Sequence, residues 1–542
     1  MARLIHSRFK ICGTLITKTP LHIGGISSNA DTDLALAIDG QGKYYVPGTS
    51  LAGAFRAWMA DFSNLNNGII DSLWGFQPQN SKDKAKGYAS FIIVEDAVVN
   101  LKGAIPEIRD GVGIDRCWGT AADGQKYNRA ILPRGSTIEL NLTLERSAPQ
   151  EETNWEQQKM LFFLLLKSLE QGKVRLGAAK TRGLGKVKLY EPKVLEQKFL
   201  DTQEFLTTLK QQNNPELYLK EWKYLDKSQL KPNLEHAQNR LINTTPSQLE
   251  LKIKWKPCTP VMVKAEGEGV TVDILPLVNA VENSLTFVIP GSSIKGAMRS
   301  QAERIVRTVC QQSTPEDFLT QVQVELVKTI FGNAAKVGKD KKQQGYLGAL
   351  AIDDCYATVP ISPQEWAEIE TATDSEKLRK ALDNNKSNLS NTQQAFHVAI
   401  DRWTGGAADG ALYSVLEPMG VSWEPMHLTL NLNRLDKKEV QNDHEKEPKS
   451  DGIFLPRLAL MFLVFRDLMQ QRIPIGFGTN RGMGVIEVEK ISIQGKGELG
   501  DLEALRNVSL TKENFSGLDN NFLDSLNQEW QKWIDLQEKA HE

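Results

Sequence analysis

Four short motifs occur in the first 190 residues of this chain and return, in the same order, between residues 250 and 490. Thr19-Pro20 reappears as Thr259-Pro260, and each Thr is followed fourteen residues later by an aspartate, Asp33 and Asp273. Val46-Pro47-Gly48-Thr49-Ser50-Leu51, running on to Arg56, is answered by Ile289-Pro290-Gly291-Ser292-Ser293-Ile294, running on through Lys295 to Arg299. Ile114-Asp115-Arg116 leads through Ala121-Ala122-Asp123-Gly124 to Tyr127, and Ile400-Asp401-Arg402 leads through Ala407-Ala408-Asp409-Gly410 to Tyr413. Gly177, with Arg182-Gly183-Leu184-Gly185, is matched by Gly476, with Arg481-Gly482-Met483-Gly484. Self-similarity on this scale calls for two tandem domains of one architecture, so any site should occur twice.

Composition narrows the class. Lys+Arg 65 against Asp+Glu 67 leaves a net charge of −2, so bulk charge does not mark a nucleic-acid binder. Basic residues are concentrated locally: Lys173, Arg175, Lys180, Arg182, Lys186 and Lys188 fall in a stretch with no acidic residue, either a solvated strand or an anion-binding strip. The five cysteines, Cys12, Cys117, Cys258, Cys310 and Cys355, form no Cys-x-x-Cys pair, which argues against structural zinc and a disulfide framework. The longest apolar run, Met160 to Leu166, is too short to span a bilayer, and Met1 to Arg8 carries no apolar signal core. The expectation is a cytoplasmic protein without a membrane partner.

Periodicity supplies the elements. Ile138, Leu140, Leu142 and Leu144 alternate as in a strand, as do Leu428, Leu430 and Leu432. A helix should follow each Pro-Gly turn, capped by Ser/Thr oxygens, with Leu51, Ala54, Phe55 and Trp58 on one face and Ile294, Ala297 and Met298 on its counterpart. Second helices are expected at 155–169 and 458–469. Strand–helix–strand twice over predicts an α+β chain of two ferredoxin-like or RRM-like domains. The predicted boundaries are 1–190 and 249–490 for the domains, 191–248 for a helical linker and 491–542 for a helical tail. Phe522, Leu526, Trp530, Trp533 and Leu536 mark a packing helix in that tail. The second copy is longer, and its extra residues, 336–344, 362–392 and 435–452, are expected to be exposed loops or arms.

Each motif has a plain and a sharper reading. A Pro-Gly-Ser/Thr-Ser turn opening a helix is either ordinary capping or a phosphate site; Arg56, Lys295 and Arg299 would add cations beside it. The Gly-x4-Arg-Gly-x-Gly segment needs close approach to another backbone or to a ligand, and it lacks the Lys-Ser/Thr of a nucleoside-triphosphate loop. Asp123-Gly124 and Asp409-Gly410 suit two-residue hairpin tips. Trp118 and Trp403, with Arg116 and Arg402 beside them, are either core residues or a wedge between bases, where stacking contributes roughly 1–3 kcal/mol per base.

Together, Thr-Pro-Leu-His-Ile-Gly-Gly (Thr19 to Gly25), the Pro-Gly-Ser-Ser-Ile-Lys-Gly helix start (Pro290 to Gly296), the Ile-Asp-Arg blocks and the late Arg-Gly-x-Gly loops resemble the repeat-associated mysterious protein (RAMP) superfamily. More closely, the chain resembles the backbone subunits of type III CRISPR effector complexes, and its two fused copies resemble the double-backbone protein of the III-D lineage. Both repeats are covered; only linker and tail fall outside. The resemblance implies RRM-like palms holding guide crRNA, and thumbs from the Ile-Asp-Arg blocks that kink the guide–target duplex. It implies a loop aspartate in each copy that supports divalent-metal-dependent cleavage of target RNA, with Mg²⁺ or Mn²⁺ as cofactor. Asp33 and Asp273 stand in that place and are the expected catalytic and metal residues, with Asp31 as second choice in copy one. The expected RNA contacts are Gly48, Thr49, Ser50, Arg56, Arg116, Trp118, Lys180, Arg182, Gly291, Ser292, Ser293, Lys295, Arg299, Arg402, Trp403 and Arg481. Expected partners are crRNA, complementary target RNA, other RAMP subunits and the large polymerase-like subunit. The alternatives are a non-cleaving backbone subunit or a guide-precursor endoribonuclease. His22 has Met262 at its counterpart, so no histidine is common to both copies.

Overall fold

The computed structural model describes residues 4–25, 32–61, 67–77, 87–147, 152–213, 220–221, 246–333, 336–337, 342–343, 345–383, 389–436, 452–512 and 518–541. They fall into two compact units. Unit 1 comprises residues 1–106, 130–180 and 184–246; unit 2 comprises 107–129, 181–183 and 247–542. The Ile-Asp-Arg hairpin of copy one and its Arg182-Gly183 pair thus belong to the unit built around copy two.

Unit 1 is a ferredoxin-like sheet. The strand Ile5–Thr17 lies between Val187–Lys198 and Thr137–Ser147, both antiparallel, with Ala97–Asn100 and Ile92–Val94 beyond the last. Helices Gly48–Ala60 and Glu152–Glu170 supply the core layer. Alternation does its work here: Ile138, Leu140, Leu142 and Leu144 are all buried, against Leu51, Phe55, Phe162 and Leu166. The strand Val187–Lys198 runs on past residue 190, and helix follows at Thr202–Asn213.

Unit 2 repeats the plan. Gln248–Pro257 sits between Ile486–Lys496 and Met426–Asn431, with Leu350–Asp353 next and Arg182–Gly183 closing that edge. Its helices are Gly291–Val309 and Phe454–Met469. Two tandem ferredoxin-like domains are therefore present, as the motif order predicts. The tail forms helix Asn520–His541, which buries Phe522, Leu526 and Trp533 and leaves Leu536 exposed.

Four local expectations need correction. The stretch 362–392 is not an exposed arm. It folds into helices Pro363–Glu370 and Ser375–Leu382, whose Trp366, Ile369, Leu378 and Leu382 enter the core. Trp366 packs edge-on against Phe287, and a Ser362/Glu365 capping box starts the first of these helices. Leu432 does not prolong its strand, because Asn431 caps a short helix, Leu432–Leu435. The helices after Pro47 and Pro290 carry no side-chain cap. Instead Asp96 and Asp354 accept the Gly48 and Gly291 N–H groups at 2.7 and 2.8 Å. Lastly, Asp409-Gly410 lies inside the strand Ala407–Glu417, where the register with Gln393–Ile400 shifts; a left-handed glycine serves a bulge as well as a turn. In 336–344, Lys336–Val337 pairs with Lys342–Gln343, and 437–451 lies outside the described residues.

Candidate nucleic-acid interface

The glycine-rich segments approach backbone. A Cβ on Gly177 would lie 2.1 Å from the His22 carbonyl oxygen, and one on Gly476 2.1 Å from that of Met262. A Cβ on Gly185 would lie 2.0 Å from the Leu176 carbonyl oxygen, and one on Gly484 2.4 Å from that of Ile475. Thr19 and Thr259 accept the N–H groups of Lys186 and Val485 at 3.0 Å each. The Thr-Pro and glycine motifs therefore clamp one loop against another, and what they present is the arginine at the loop's crest. His22 is buried, its Nδ1 2.7 Å from the Ala130 carbonyl oxygen.

That arginine meets the tyrosine of the hairpin in both copies. Arg182 Nη1 donates to Tyr127 Oη at 3.0 Å, and Arg481 Nη1 donates to Tyr413 Oη. Arg481 also lies over the rings of Tyr413 and Phe477 at 5.6 and 5.8 Å, and Tyr413 stacks on His397. In copy one Arg129 lies over Tyr127, and Gly111 occupies the place of His397; a Cβ there would sit 2.3 Å from Tyr127 Cζ. Both arginines are exposed. A flat ring with an attached guanidinium at the surface has the chemistry to stack on a base and to neutralise a phosphate. The expected RNA contacts include the two arginines but not Tyr127, Tyr413, His397 or Phe477, which the structure brings beside them. The signal was there for the tyrosines, each twelve residues after the hairpin Asp.

Asp273 stands next to this platform. Its Oδ2 accepts the Ser414 N–H at 2.7 Å and lies 3.0 Å from Ser414 Oγ, on the strand that carries Tyr413. Those two hydrogen bonds hold its pKa below the ordinary carboxylate range, so it is ionised at neutral pH. The following residue docks on the same strand, with Leu416 N–H donating to the Ile274 carbonyl at 3.0 Å. In unit 1 the Ala130 N–H donates to the Leu34 carbonyl at 3.0 Å, the matching bond in the matching frame. Asp33, just before Leu34, thus occupies the position of Asp273 and is exposed like it. Asp31 lies outside the described residues.

Several expected RNA contacts are occupied within the protein instead. Lys295 is buried, and its Nζ donates to the Leu350 carbonyl at 2.6 Å. Burial, then Arg182, Arg299 and Arg434, push its pKa well down. Arg299 and Arg116 both pair with the fully buried Glu303, at 2.7 and 2.6 Å. Arg299 also donates to the carbonyls of Gly332 and Val322. All three have partners within unit 2. Gly48 and Gly291 are buried with their N–H groups on carboxylates, so a phosphate would have to displace Asp96 or Asp354. Thr49, Ser50 and Ser292 are exposed, Ser293 and Lys180 half-buried, and Arg56 pairs with Asp71 at 2.6 Å. Trp118 and Trp403 are 80% and 95% exposed beside Arg116 and Arg402, on turns that Asp115 and Asp401 close by accepting N–H groups two residues on. Such exposure excludes a core role for either Trp.

The hairpin of copy one is fixed in unit 2 by a buried ionic cluster. Arg109 donates to Asp354 at 2.6 Å and to Asn279, while Glu107 accepts the Ala280 N–H at 2.6 Å and an Asn279 amide hydrogen. Desolvation pushes Glu107 up to about 7, against the opposing pull of Arg109. A carboxyl raised on folding stabilises below its unfolded pKa and loses that contribution as pH rises to about 7. Unit 2 should therefore melt lower at pH 8 than at pH 5.5, by at most about 3 kcal/mol. Glu107→Gln should flatten that slope in a pH series of thermal unfolding, and an unchanged slope would place its origin elsewhere.

If Arg182 and Arg481 each neutralise one phosphate, replacing either by Ala should reduce the salt slope of RNA binding by about one, whatever the guide sequence. Loss confined to particular sequences in filter-binding titrations would mean base readout instead.

Among the described residues no helix is long and apolar enough to cross a membrane, and no group of three or more His, Cys, Asp or Glu could hold a metal ion. A comparison with curated proteins finds no match. The family model of the RAMP superfamily matches residues 14–188 and 258–487, one segment for each repeat. The chain belongs to the RAMP superfamily: it is a CRISPR-associated RNA-binding subunit of two RAMP domains, with crRNA and the other subunits of a CRISPR complex as its partners.

Proposed function

We propose that this chain is a guide-binding backbone subunit of a type III CRISPR effector complex, and that each repeat cuts target RNA beside its loop aspartate, Asp33 or Asp273. The observation that carries the reading is the duplicated frame: an exposed aspartate whose next residue docks on the thumb strand. In copy two that same strand carries Tyr413, the ring of the Arg–Tyr pair. The platform of ring and guanidinium would hold guide backbone and bases, while the exposed Trp118 and Trp403 interrupt the duplex at the hairpin tips.

A nucleotide turned out of A-form geometry can line its 2′-oxygen up with phosphorus and the departing 5′-oxygen. Attack then leaves a 2′,3′-cyclic phosphate on one product and a 5′-hydroxyl on the other. Ser414 holds Asp273 through Oδ2, and the other carboxylate oxygen would orient the attacking hydroxyl or accept its proton. An exposed carboxylate in each copy also suits a cation such as Mg²⁺ or Mn²⁺ that takes its other ligands from water and RNA phosphates. When bound, that ion would neutralise charge developing at the phosphate; Asp33 and Asp273 would hold it.

The test is gel mapping of end-labelled target RNA incubated with the assembled complex and Mg²⁺. Two discrete cuts with cyclic-phosphate ends are expected. An intact target on a correctly loaded complex would leave a structural backbone without cleavage.

A further inference from the structure

The basic stretch that opens at Lys173 ends at Lys188, on the outer face of the unit 1 sheet. The strands Ile5–Thr17 and Val187–Lys198 pair there with Ile16 opposite Lys188 and Thr14 opposite Tyr190. Leu15, Val187 and Leu189, which alternate with these residues, are buried in the core. Alternation therefore turns Thr14, Ile16, Lys188 and Tyr190 to the side away from the helices. Lys18, just past the strand end, joins them. Its Nζ lies 5.0 Å from the centre of the Tyr190 ring, and that of Lys188 lies 5.4 Å from it.

Lys18, Lys188 and Tyr190 are all half-buried. A hydrogen bond from Lys18, with the charges of Lys18 and Lys188, holds the Tyr190 phenol below its ordinary pKa. Among the described residues neither lysine has a carboxylate partner. Glu191 follows Tyr190 in the chain, and Glu139 lies opposite Thr14 on the far side of the central strand, about 9.6 Å from Tyr190 by strand spacing.

Unit 2 shows what the fold itself needs at this place. Counted from Thr259 and Gly484, it carries Cys258 for Lys18, Glu487 for Lys188 and Glu489 for Tyr190. Lys256 and Lys254 pair with those glutamates at 3.2 and 2.9 Å, so the face is neutralised strand against strand. The same sheet thus forms without the cations and the ring of unit 1. Two uncompensated ammonium groups beside a flat ring suit an anion that also has a face to stack. A nucleotide meets both demands, whereas an acidic side chain meets only the charge.

We propose that the outer face of the unit 1 sheet holds single-stranded RNA, with Lys18 and Lys188 on phosphates and a base on Tyr190. The site goes beyond guide binding: it uses none of the residues assigned to the guide, and the RNA it takes is a second strand or segment.

The test is a fluorescence-anisotropy titration of the full chain, saturated with a guide that lacks adenine runs, against a short labelled oligouridylate. Saturable binding is expected, with an ultraviolet adduct mapped to Tyr190. Lys18→Gln with Lys188→Gln should weaken binding about tenfold and lower the slope of log K against log salt by about 1.4, two phosphates at about 0.7 each. Tyr190→Leu should weaken it about fivefold or more and leave the salt slope unchanged, because stacking releases no counterion. Guide retention should stay as in the parent chain. The adduct in the unaltered chain is decisive even where a variant misfolds. No binding, an adduct at Tyr127 or Tyr413 in place of Tyr190, or parental affinity in the double variant overturns the proposal. So does loss of guide from a variant that melts like the parent, since the lysines would then belong to the guide site. Inorganic polyphosphate competing as well as the oligouridylate would leave a plain anion site, and polyglutamate doing so would leave a surface for an acidic protein; either result also overturns it.

Discussion

Arg109→Ala should destabilise unit 2 by about 3–5 kcal/mol, because it leaves the Asp354 carboxylate buried without its cation. Arg109 is 9% exposed and donates to Asp354 at 2.6 Å. The alternative partners for Asp354 are few: the Gly291 N–H is already on Oδ1, and Tyr356 Oη stands at 3.5 Å from Oδ2. Hydrogen exchange should show the damage first in Glu107–Ile114 and Ala121–Ile131, the two strands of the hairpin. Replacing both charges, Arg109→Met with Asp354→Leu, should recover a large part of the loss. A hairpin as protected in Arg109→Ala as in the parent chain would show that the ion pair does not hold it.

Asp273→Ala and Asp33→Ala should each remove one target-RNA cut, by at least 100-fold, and leave the other cut and guide binding as they were. Asp273 is at the surface and its hydrogen bonds are to Ser414 alone among the described contacts, so the fold loses little with it. Asp273→Asn keeps an acceptor for the Ser414 N–H but removes the charge. It should be as inactive as Asp273→Ala if the carboxylate acts through charge. If either Ala variant retains both cuts on quantitative gel mapping, the site assignment fails for that copy, and in copy one Asp31 becomes the residue to replace.

What was legible in the chain was whatever is local or periodic. The alternation at Ile138 to Leu144 and the spacing of Leu51 and Phe55 place the sheet and its helix without tertiary information. The equal distance from Thr19 to Asp33 and from Thr259 to Asp273 picked out residues that the fold sets in one frame. Long-range partners were not legible. Lys295 reads as a cation beside a helix start, yet its helix turns it onto the Leu350 carbonyl in the core. Arg116 reaches Glu303 from a distant sequence position, and no spacing announces that. Trp366 and Leu378 were lost in a polar stretch because composition hid their helical spacing. The Asp-Gly pairs misled because a glycine with positive φ, Gly410 at 67°, suits a strand bulge as readily as a tip.

The central claim is that both repeats grip one RNA in the same way, through Tyr127 with Arg182 and Tyr413 with Arg481. Ultraviolet crosslinking of the full chain to a guide RNA, with mass spectrometric mapping of adducts, tests it most directly. The account predicts two adducts on one guide, at Tyr127 and Tyr413 or their immediate ring neighbours, at a fixed nucleotide separation that does not change with guide sequence. Adducts at one repeat only, or at neither platform while the guide remains bound, would contradict it.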